Sequence, residues 1–251
     1  MAPDKKSQHA LRAEAPASLQ GPSQLPVRLR EIHCFADFLE DLELCGMTPG
    51  GENGEGVFTL SACFGAEIRW HTGDPETDPW EWRMRVLRER DDIAYAKLFF
   101  GKSGYVTGAW YPFLLATRRG GKSPEELLAG EPVAAKIYDL VCENQTLPLH
   151  ILRLLGNFGR ADKSKFERAL VYLQTKLLLT MCGSEQKRSR LGEEYGWSST
   201  VFCPVERAFE EEIFQRAGAL SPGEAAAAME AHLLRLNPEA DKRRMKKWIF
   251  G

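Results

Sequence analysis

The residues best suited to bind a ligand in this chain are polar and basic side chains on one face of a helical segment. Residues 162–175 place apolar side chains at i, i+3, i+4 and i+7, which is the spacing of a helix with one buried face. That buried stripe consists of Phe166, Ala169, Leu170 and Leu173. The opposite side carries Lys165, Arg168 and Thr175. Two cations and a hydroxyl on an exposed helix face can donate hydrogen bonds to phosphate oxygens and to base edges.

A second basic group follows in a polar segment, 183–192, that lies between two apolar runs. It contains Lys187, Arg188 and Arg190. From 162 to 190 there are seven Lys and Arg against three Asp and Glu, a difference of +4 in a chain whose formal net charge is −2. Such a local excess suits contacts with nucleic-acid phosphates, whose affinity is largely electrostatic. Lysine and arginine also solvate ordinary surface helices, so charge alone leaves a purely structural explanation open.

The elements around these residues predict a winged helix-turn-helix between 132 and 204. A helix at 133–144 is followed by a short second helix, capped by Thr146 and with Pro148 in its first turn. Gly156 and Gly159 then break the chain, as a tight turn between helices requires. After the helix that Asp162 caps come two strands, 177–182 and 197–203, on either side of the basic segment. This order of elements is typical of proteins that place one helix in a DNA major groove.

The region before 132 has a separate pattern of helices and strands. An aspartate followed by proline, Asp78-Pro79, is a strong helix start. Segment 57–70 is ambiguous between irregular strand and loop. The remaining predictions are a helix at 27–44, a Gly-rich loop at 49–56, a helix from 79 to about 90, a hairpin of 93–100 with 105–107, a helix at 109–119 and a linker at 120–124.

We therefore predict a helix-rich α+β fold, in which a winged helix-turn-helix domain is preceded by a small α+β domain. The polar residues 1–26 are expected to form a disordered leader. The N-terminal α+β domain is expected to occupy 27–120 and to include a Trp-rich block. The winged-helix domain would occupy 121–218, and a C-terminal helix with a basic tail would occupy 219–251.

The Trp-rich block offers a second candidate site. Four of the six tryptophans in the chain, at positions 70, 80, 82 and 110, fall close together. Helical spacing favours Trp82 as a core residue, whereas Trp80 could equally be core or ligand surface. Aromatic rings beside cations can stack a base or a guanidinium group, so Trp80, Arg83 and Lys97 form a candidate ligand pocket. No spacing among the nearby carboxylates indicates an acid–base pair, and no catalytic residue is assigned.

The C-terminal segment combines a basic run with an apolar end. Pro222 should open a helix that continues to Leu236, and Asn237-Pro238 should end it. Five Lys and Arg against one Asp follow between 241 and 247, and the last apolar residues are 248–250. Docking of this end on the globular body would fix the basic run beside the winged helix. A flexible basic tail that adds only nonspecific affinity is the alternative.

Composition narrows the function classes. No window approaches the roughly 20 apolar residues of a membrane helix, and the polar N-terminus lacks a signal core, so we expect a cytoplasmic protein without membrane contact. The six cysteines lack C-x-x-C spacing, so no metal site is predicted. The Gly-Lys-Ser sequences at 101–103 and 121–123 lack the earlier glycine of a phosphate-binding loop, so no nucleotide cofactor is expected. The predicted partner is double-stranded DNA, and the oligomeric state stays open.

Several segments resemble a known family. They are 73–83, 93–100, 102–106, 110–112, 170–175 and 195–201. Together they are similar to bacterial proteins known as AlkZ-related. AlkZ belongs to a family of winged-helix DNA glycosylases that excise alkylated or crosslinked bases. The resemblance therefore implies a winged-helix architecture and a link to DNA, in repair or in regulation.

The resemblance does not carry over a catalytic residue. The glycosylases place the attacking water with a Gln-x-Gln or Gln-x-Asp motif, and none of the seven glutamines here has Gln or Asp two residues later. This absence argues against glycosylase activity, and a DNA-binding relative is the favoured hypothesis. Two alternatives are an active glycosylase-like repair enzyme that uses another acid, and a protein-interaction module without a nucleic-acid role.

Overall fold

The structure, a computed structural model, describes residues 29–189 and 191–251. The leader predicted for 1–26 and the predicted contact residue Arg190 lie outside the described residues. The described helices are α1 (Phe35–Cys45), α2 (Pro79–Glu89), α3 (Tyr111–Arg119), α4 (Pro124–Leu128), α5 (Pro132–Asn144), α6 (Leu149–Leu155), α7 (Lys163–Thr175), α8 (Val205–Ala208), α9 (Glu211–Gly218), α10 (Pro222–Leu236) and α11 (Lys242–Phe250). The strands are β1 (Met47–Pro49), β2 (Ile93–Phe99), β3 (Lys102–Thr107), β4 (Leu147–Pro148), β5 (Leu179–Glu185) and β6 (Ser199–Pro204). Helices surround an antiparallel sheet, so the α+β prediction is confirmed.

One six-stranded sheet runs through the molecule in the order β1-β3-β2-β5-β6-β4. Strands from both sides of the predicted boundary at 120–121 belong to it, because β2 pairs with β5 through Tyr95 and Met181. Two clusters of buried side chains flank the strands, and each combines residues from before and after that boundary. The division into units at 27–120, 121–218 and 219–251 stays a prediction about independent folding.

The N-terminal helix begins later than the predicted 27–44. Ile32 is buried but lies outside α1, since it forms a parallel bridge with Phe64. The backbone NH of Ile32 donates to Cys63 O at 2.8 Å, and Gly65 N donates to Ile32 O at 2.8 Å. These hydrogen bonds hold the segment extended, so the helix begins only at Phe35.

Asp78 caps α2 and also holds the loop before it. One carboxylate oxygen accepts from Trp80 N at 2.8 Å and from His71 N at 3.0 Å, and the other accepts from Gly73 N at 2.9 Å. Burial acts to raise the pKa of Asp78, but these backbone NH groups outweigh it and keep the pKa below its usual value. The helix start predicted at Asp78-Pro79 is confirmed.

The short helix predicted after Thr146 is corrected by the structure. Leu147 and Pro148 form β4, which pairs antiparallel with Phe202 and Val201 of β6, and α6 begins only at Leu149. Proline is tolerated here because β4 lies at the edge of the sheet. The resulting order is α5-β4-α6-α7-β5-β6, with β6 between β4 and β5 in the sheet.

The apolar end of the chain is docked, not flexible. Trp248 and Ile249 are buried, and the Trp248 ring lies 4.3 Å from that of Phe99, centroid to centroid. The buried guanidinium of Arg118 joins this end to the body: its Nε donates to Ile249 O at 2.9 Å, and Nη2 donates to Trp248 O at 2.6 Å. Burial lowers the pKa of Arg118 to about 9, which leaves it charged at neutral pH. In the described ranges no helix has the length and apolar character needed to cross a membrane.

Candidate nucleic-acid interface

The buried stripe predicted for α7 is present. Phe166, Ala169, Leu170 and Leu173 are all buried. Lys165 and Arg168 lie on the exposed side of the helix, as the spacing predicts. Neither Lys165 nor Arg168 forms an ion pair with any described residue, so both charges are available to an external ligand.

The C-terminal half of α7 is occupied by the protein itself. The Thr175 hydroxyl donates to Lys97 O at 3.2 Å, and the buried Gln174 accepts from Lys97 N at 2.9 Å. These side chains satisfy the backbone of β2 where a neighbouring strand would otherwise pair. The Thr175 side chain also lies against Gly251 at the end of α11. Thr175 is half-buried and its hydroxyl is engaged within the protein, so it is less available to DNA than Lys165 and Arg168.

The β2–β3 turn covers the next part of the same face. A Cβ placed on Gly101 would lie 3.8 Å from Val171 Cγ1, so the turn packs beside the middle of α7. Phe100 and Gly101 both have positive φ, 54° and 72°, which produces the tight reversal. The exposed side chains of α7 lie in its first two turns, which carry Lys165 and Arg168, whereas Val171 and Thr175 are half-buried.

The β5–β6 loop, 186–198, holds the second predicted basic group. Arg188 pairs with Glu194 at 3.1 Å, both ends being well exposed, and Lys187 is half-buried. The loop also exposes apolar side chains that the sequence did not single out. Leu191 is 86% and Trp197 83% exposed. The loop thus presents both charge and apolar surface to solvent.

Two residues of the pocket predicted from Trp80, Arg83 and Lys97 contact each other. The guanidinium of Arg83 stacks on the Trp80 ring at 3.3 Å, so one face of that ring is already covered. The Lys97 backbone is bound to α7 instead. None of the three lines the cavity of about 540 Å³ beside the β2–β3 hairpin. The stacking of a guanidinium on a tryptophan is thus present, and a ligand pocket at these three residues stays a prediction.

That cavity of about 540 Å³ lies where the end of β1 and the loop after it meet the start of β3. Its lining comprises residues 49–53, Trp70, Lys102 and Ser103. Lys102 also donates to Glu55 at 2.5 Å, and Arg244 of α11 donates to the other oxygen of the same carboxylate at 3.0 Å. No pattern in the sequence indicates this arrangement, because Glu55 and Arg244 are brought together only by the docking of α11. Within the described residues, no group of three His, Cys, Asp or Glu side chains could hold a metal ion.

The fold and surface define a helix-rich α+β protein with an antiparallel sheet and exposed basic side chains on α7. Residues 32–250 match the AlkZ-related family, so the chain belongs to that family. This membership links it to DNA glycosylase-like proteins and hence to DNA. No curated protein and no solved structure matches the chain.

Proposed function

We propose that residues 132–204 form a winged helix that binds double-stranded DNA through the first two turns of α7. The order α5-β4-α6-α7-β5-β6, with β4, β6 and β5 as neighbouring antiparallel strands, is the observation that carries this proposal. In such an arrangement the third helix enters the major groove and the loop between the last two strands reaches the adjacent backbone. Here these parts are α7 and the β5–β6 loop.

The charges support the same orientation. Recognition helices contact base edges mainly with their N-terminal residues. Lys165 and Arg168 occupy that part of α7, while the C-terminal part is covered by Lys97, Gly101 and Gly251. The most exposed part of α7 is therefore also the part from which base contacts are expected.

Binding without base excision is the activity we favour. The chain lacks the Gln-x-Gln and Gln-x-Asp motifs, and Gln174, the glutamine of α7, is buried with both polar atoms bonded within the protein. Its Nε2 donates to Leu170 O at 2.9 Å. It therefore cannot hold a water molecule for attack on a glycosidic bond unless these hydrogen bonds are broken.

Substitution of the exposed cations on α7 tests the proposal. Lys165→Ala with Arg168→Ala should weaken duplex binding and make its salt dependence shallower by about 1.8, since each phosphate that a cation neutralises contributes about 0.9 to the slope. The fold should persist because both side chains are exposed. Fluorescence anisotropy across a salt series measures the slope, and circular dichroism checks the fold. Unchanged affinity and slope would remove α7 as the DNA-contacting helix.

A protein-interaction role is a second candidate, favoured by the exposed Leu191 and Trp197 on the β5–β6 loop. Large apolar side chains held in water are typical of contact surfaces. If this role is correct, Trp197→Ser should leave DNA affinity unchanged and abolish co-purification of a specific protein. A decrease in the DNA affinity of that variant would assign the loop to DNA.

A further inference from the structure

The exposed surface of α11 is almost entirely cationic. Met245, Trp248 and Ile249 point into the protein and are buried. The exposed positions are five cations, Lys242, Arg243, Arg244, Lys246 and Lys247, and the last residue of the helix, Phe250. Among the described residues, only Arg244 of these five forms an ion pair, with Glu55. Asp241, the nearby acid, is engaged as the helix cap, since it accepts from Arg244 N at 2.7 Å.

This cationic helix is fixed next to the end of α7. Arg118 donates to Thr175 O at 3.2 Å as well as to Trp248 O and Ile249 O, so one buried guanidinium binds the C-terminal ends of both helices. Because these carbonyl groups have no further partner in their own helices, removal of the guanidinium would be costly. The position of α11 relative to α7 is therefore set by the fold.

The β2–β3 turn fills the space between the two helices and adds to the same surface. Gly101 packs beside Val171 of α7, while the Phe100 ring lies 5.9 Å from the Arg244 guanidinium carbon and 6.0 Å from Lys247 Nζ. Lys102 follows at once and shares Glu55 with Arg244. The β2–β3 turn therefore contacts both α7 and α11 and connects their surfaces.

A concavity of about 450 Å³ lies on α11 and is lined by Asp241, Arg243, Arg244 and Lys247. Three cations around one opening suit a phosphate group, to which Arg can donate two parallel hydrogen bonds. An anionic membrane is a poorer fit, because Met245, Trp248 and Ile249 are buried against the protein and only Phe250 leaves an apolar side chain exposed on α11.

We propose that α11 and the β2–β3 turn form a second phosphate-binding surface, which contacts the DNA backbone beyond the end of α7. The proposal rests on the DNA-binding function proposed above and extends the footprint of the protein along the duplex. The proposal is supported by charge complementarity and by the contacts that join α7 to α11, from Val171 to Gly101 and from Phe100 to Lys247. The contacts are with phosphates, so they should not depend on DNA sequence.

The length of the DNA duplex distinguishes contacts made by this second surface from contacts made by α7. Arg243→Ser with Lys247→Ser removes two exposed cations of the concavity and leaves the Arg244–Glu55 pair intact. On a duplex of about two helical turns, roughly 21 base pairs, binding should weaken about tenfold and the salt slope should fall by about 1.8. On a duplex of about one turn, both quantities should match the parent protein, because the backbone that α11 contacts is missing.

Arg88→Ser with Arg207→Ser is the matched control, since it removes two exposed positive charges on α2 and α8. It should leave both duplexes bound as in the parent protein. Unchanged binding of the long duplex by the α11 variant would overturn this proposal, and so would an equal decrease on both lengths. The proposed function fails separately, if Lys165→Ala with Arg168→Ala changes binding on neither length.

Discussion

Trp82 and Trp80 are two positions apart on α2 but have different surroundings. The Trp82 ring lies 5.0 Å from that of Phe38 and 5.6 Å from that of Phe64, and its Nε1 donates to Pro75 O at 3.2 Å. Trp80 is only partly buried and carries the Arg83 guanidinium on one face. Helical spacing separated the two residues correctly, and the structure confirms Trp82 as a core residue.

The difference between these tryptophans predicts unequal effects of their removal. Trp82→Ala should lower the free energy of unfolding by about 3–5 kcal/mol, as large aromatic deletions in a core do. Trp80→Ala should cost only about 1 kcal/mol, because it removes one partly buried cation–aromatic pair and no core side chain. Urea unfolding followed by circular dichroism measures both values. Large and equal decreases would show that Trp80 also belongs to the core.

Asp78 gives the protein a specific sensitivity to acid. Its pKa lies below the ordinary 3.8 in the folded state, because three backbone NH groups bind the ionised carboxylate. A carboxyl whose folded pKa is depressed stabilises the protein above the unfolded pKa and loses that contribution as the pH falls through the folded value. Asp78→Asn should therefore be less stable than the parent at pH 7, and the gap should narrow below about pH 3.8. A pH-independent gap in urea midpoints would contradict this assignment.

At the scale of elements, local signals succeeded where the partner is close in the chain. The start of α2 at Asp78-Pro79, the β2–β3 hairpin and the helix from Pro222 to Leu236 follow from caps, turns and periodicity. The incorrect predictions concern segments whose pairing partners are distant in the chain. Leu147 is a strand residue because it pairs with Phe202, fifty-five positions away in the chain. No local sequence pattern indicates that pairing.

The candidate interface likewise combines a feature that local sequence predicts with one that depends on distant residues. Helical spacing correctly placed Lys165 and Arg168 on the exposed face of α7. The sequence could not show that the same face is covered near Thr175, since the covering groups come from Lys97 and Gly251. Position on a helix determines which side a residue faces, whereas its accessibility depends on the packing of other elements.

The β5–β6 loop provides a prediction at this scale. Replacement of Lys187, Arg188 and Arg190 by Ser should weaken DNA binding by a similar factor for every sequence, as the removal of phosphate-binding cations does. The replacement also removes the ion pair between Arg188 and Glu194. Because this pair is exposed, its loss should have little effect on the stability of the fold. Anisotropy with several unrelated duplexes measures the factor. A decrease confined to one sequence would mean that the loop contacts base edges.

At the scale of the whole molecule, Arg118 connects elements that are far apart in the chain. Besides the ends of α7 and α11, its guanidinium donates to Leu98 O of β2 at 2.9 Å. A buried cation with four carbonyl acceptors and no carboxylate partner among the described residues stabilises one relative placement of sheet and helices. The AlkZ-related chain thus holds its two proposed DNA-contacting helices against a common centre.

Removal of the end of α11 should therefore affect stability and binding together. Deletion of residues 243–251 exposes the apolar surface that Trp248 and Ile249 cover and leaves Arg118 without two of its acceptors. We expect a lower melting temperature and weaker duplex binding, with a shallower salt slope because the deletion removes four cations. Calorimetry and anisotropy on the same preparation measure both quantities. Arg243→Ser with Lys247→Ser serves as the control for charge, since it should weaken binding at an unchanged melting temperature. An unchanged melting temperature after the deletion would contradict the docking of this helix, and unchanged affinity in a folded deletion variant would exclude it from DNA binding.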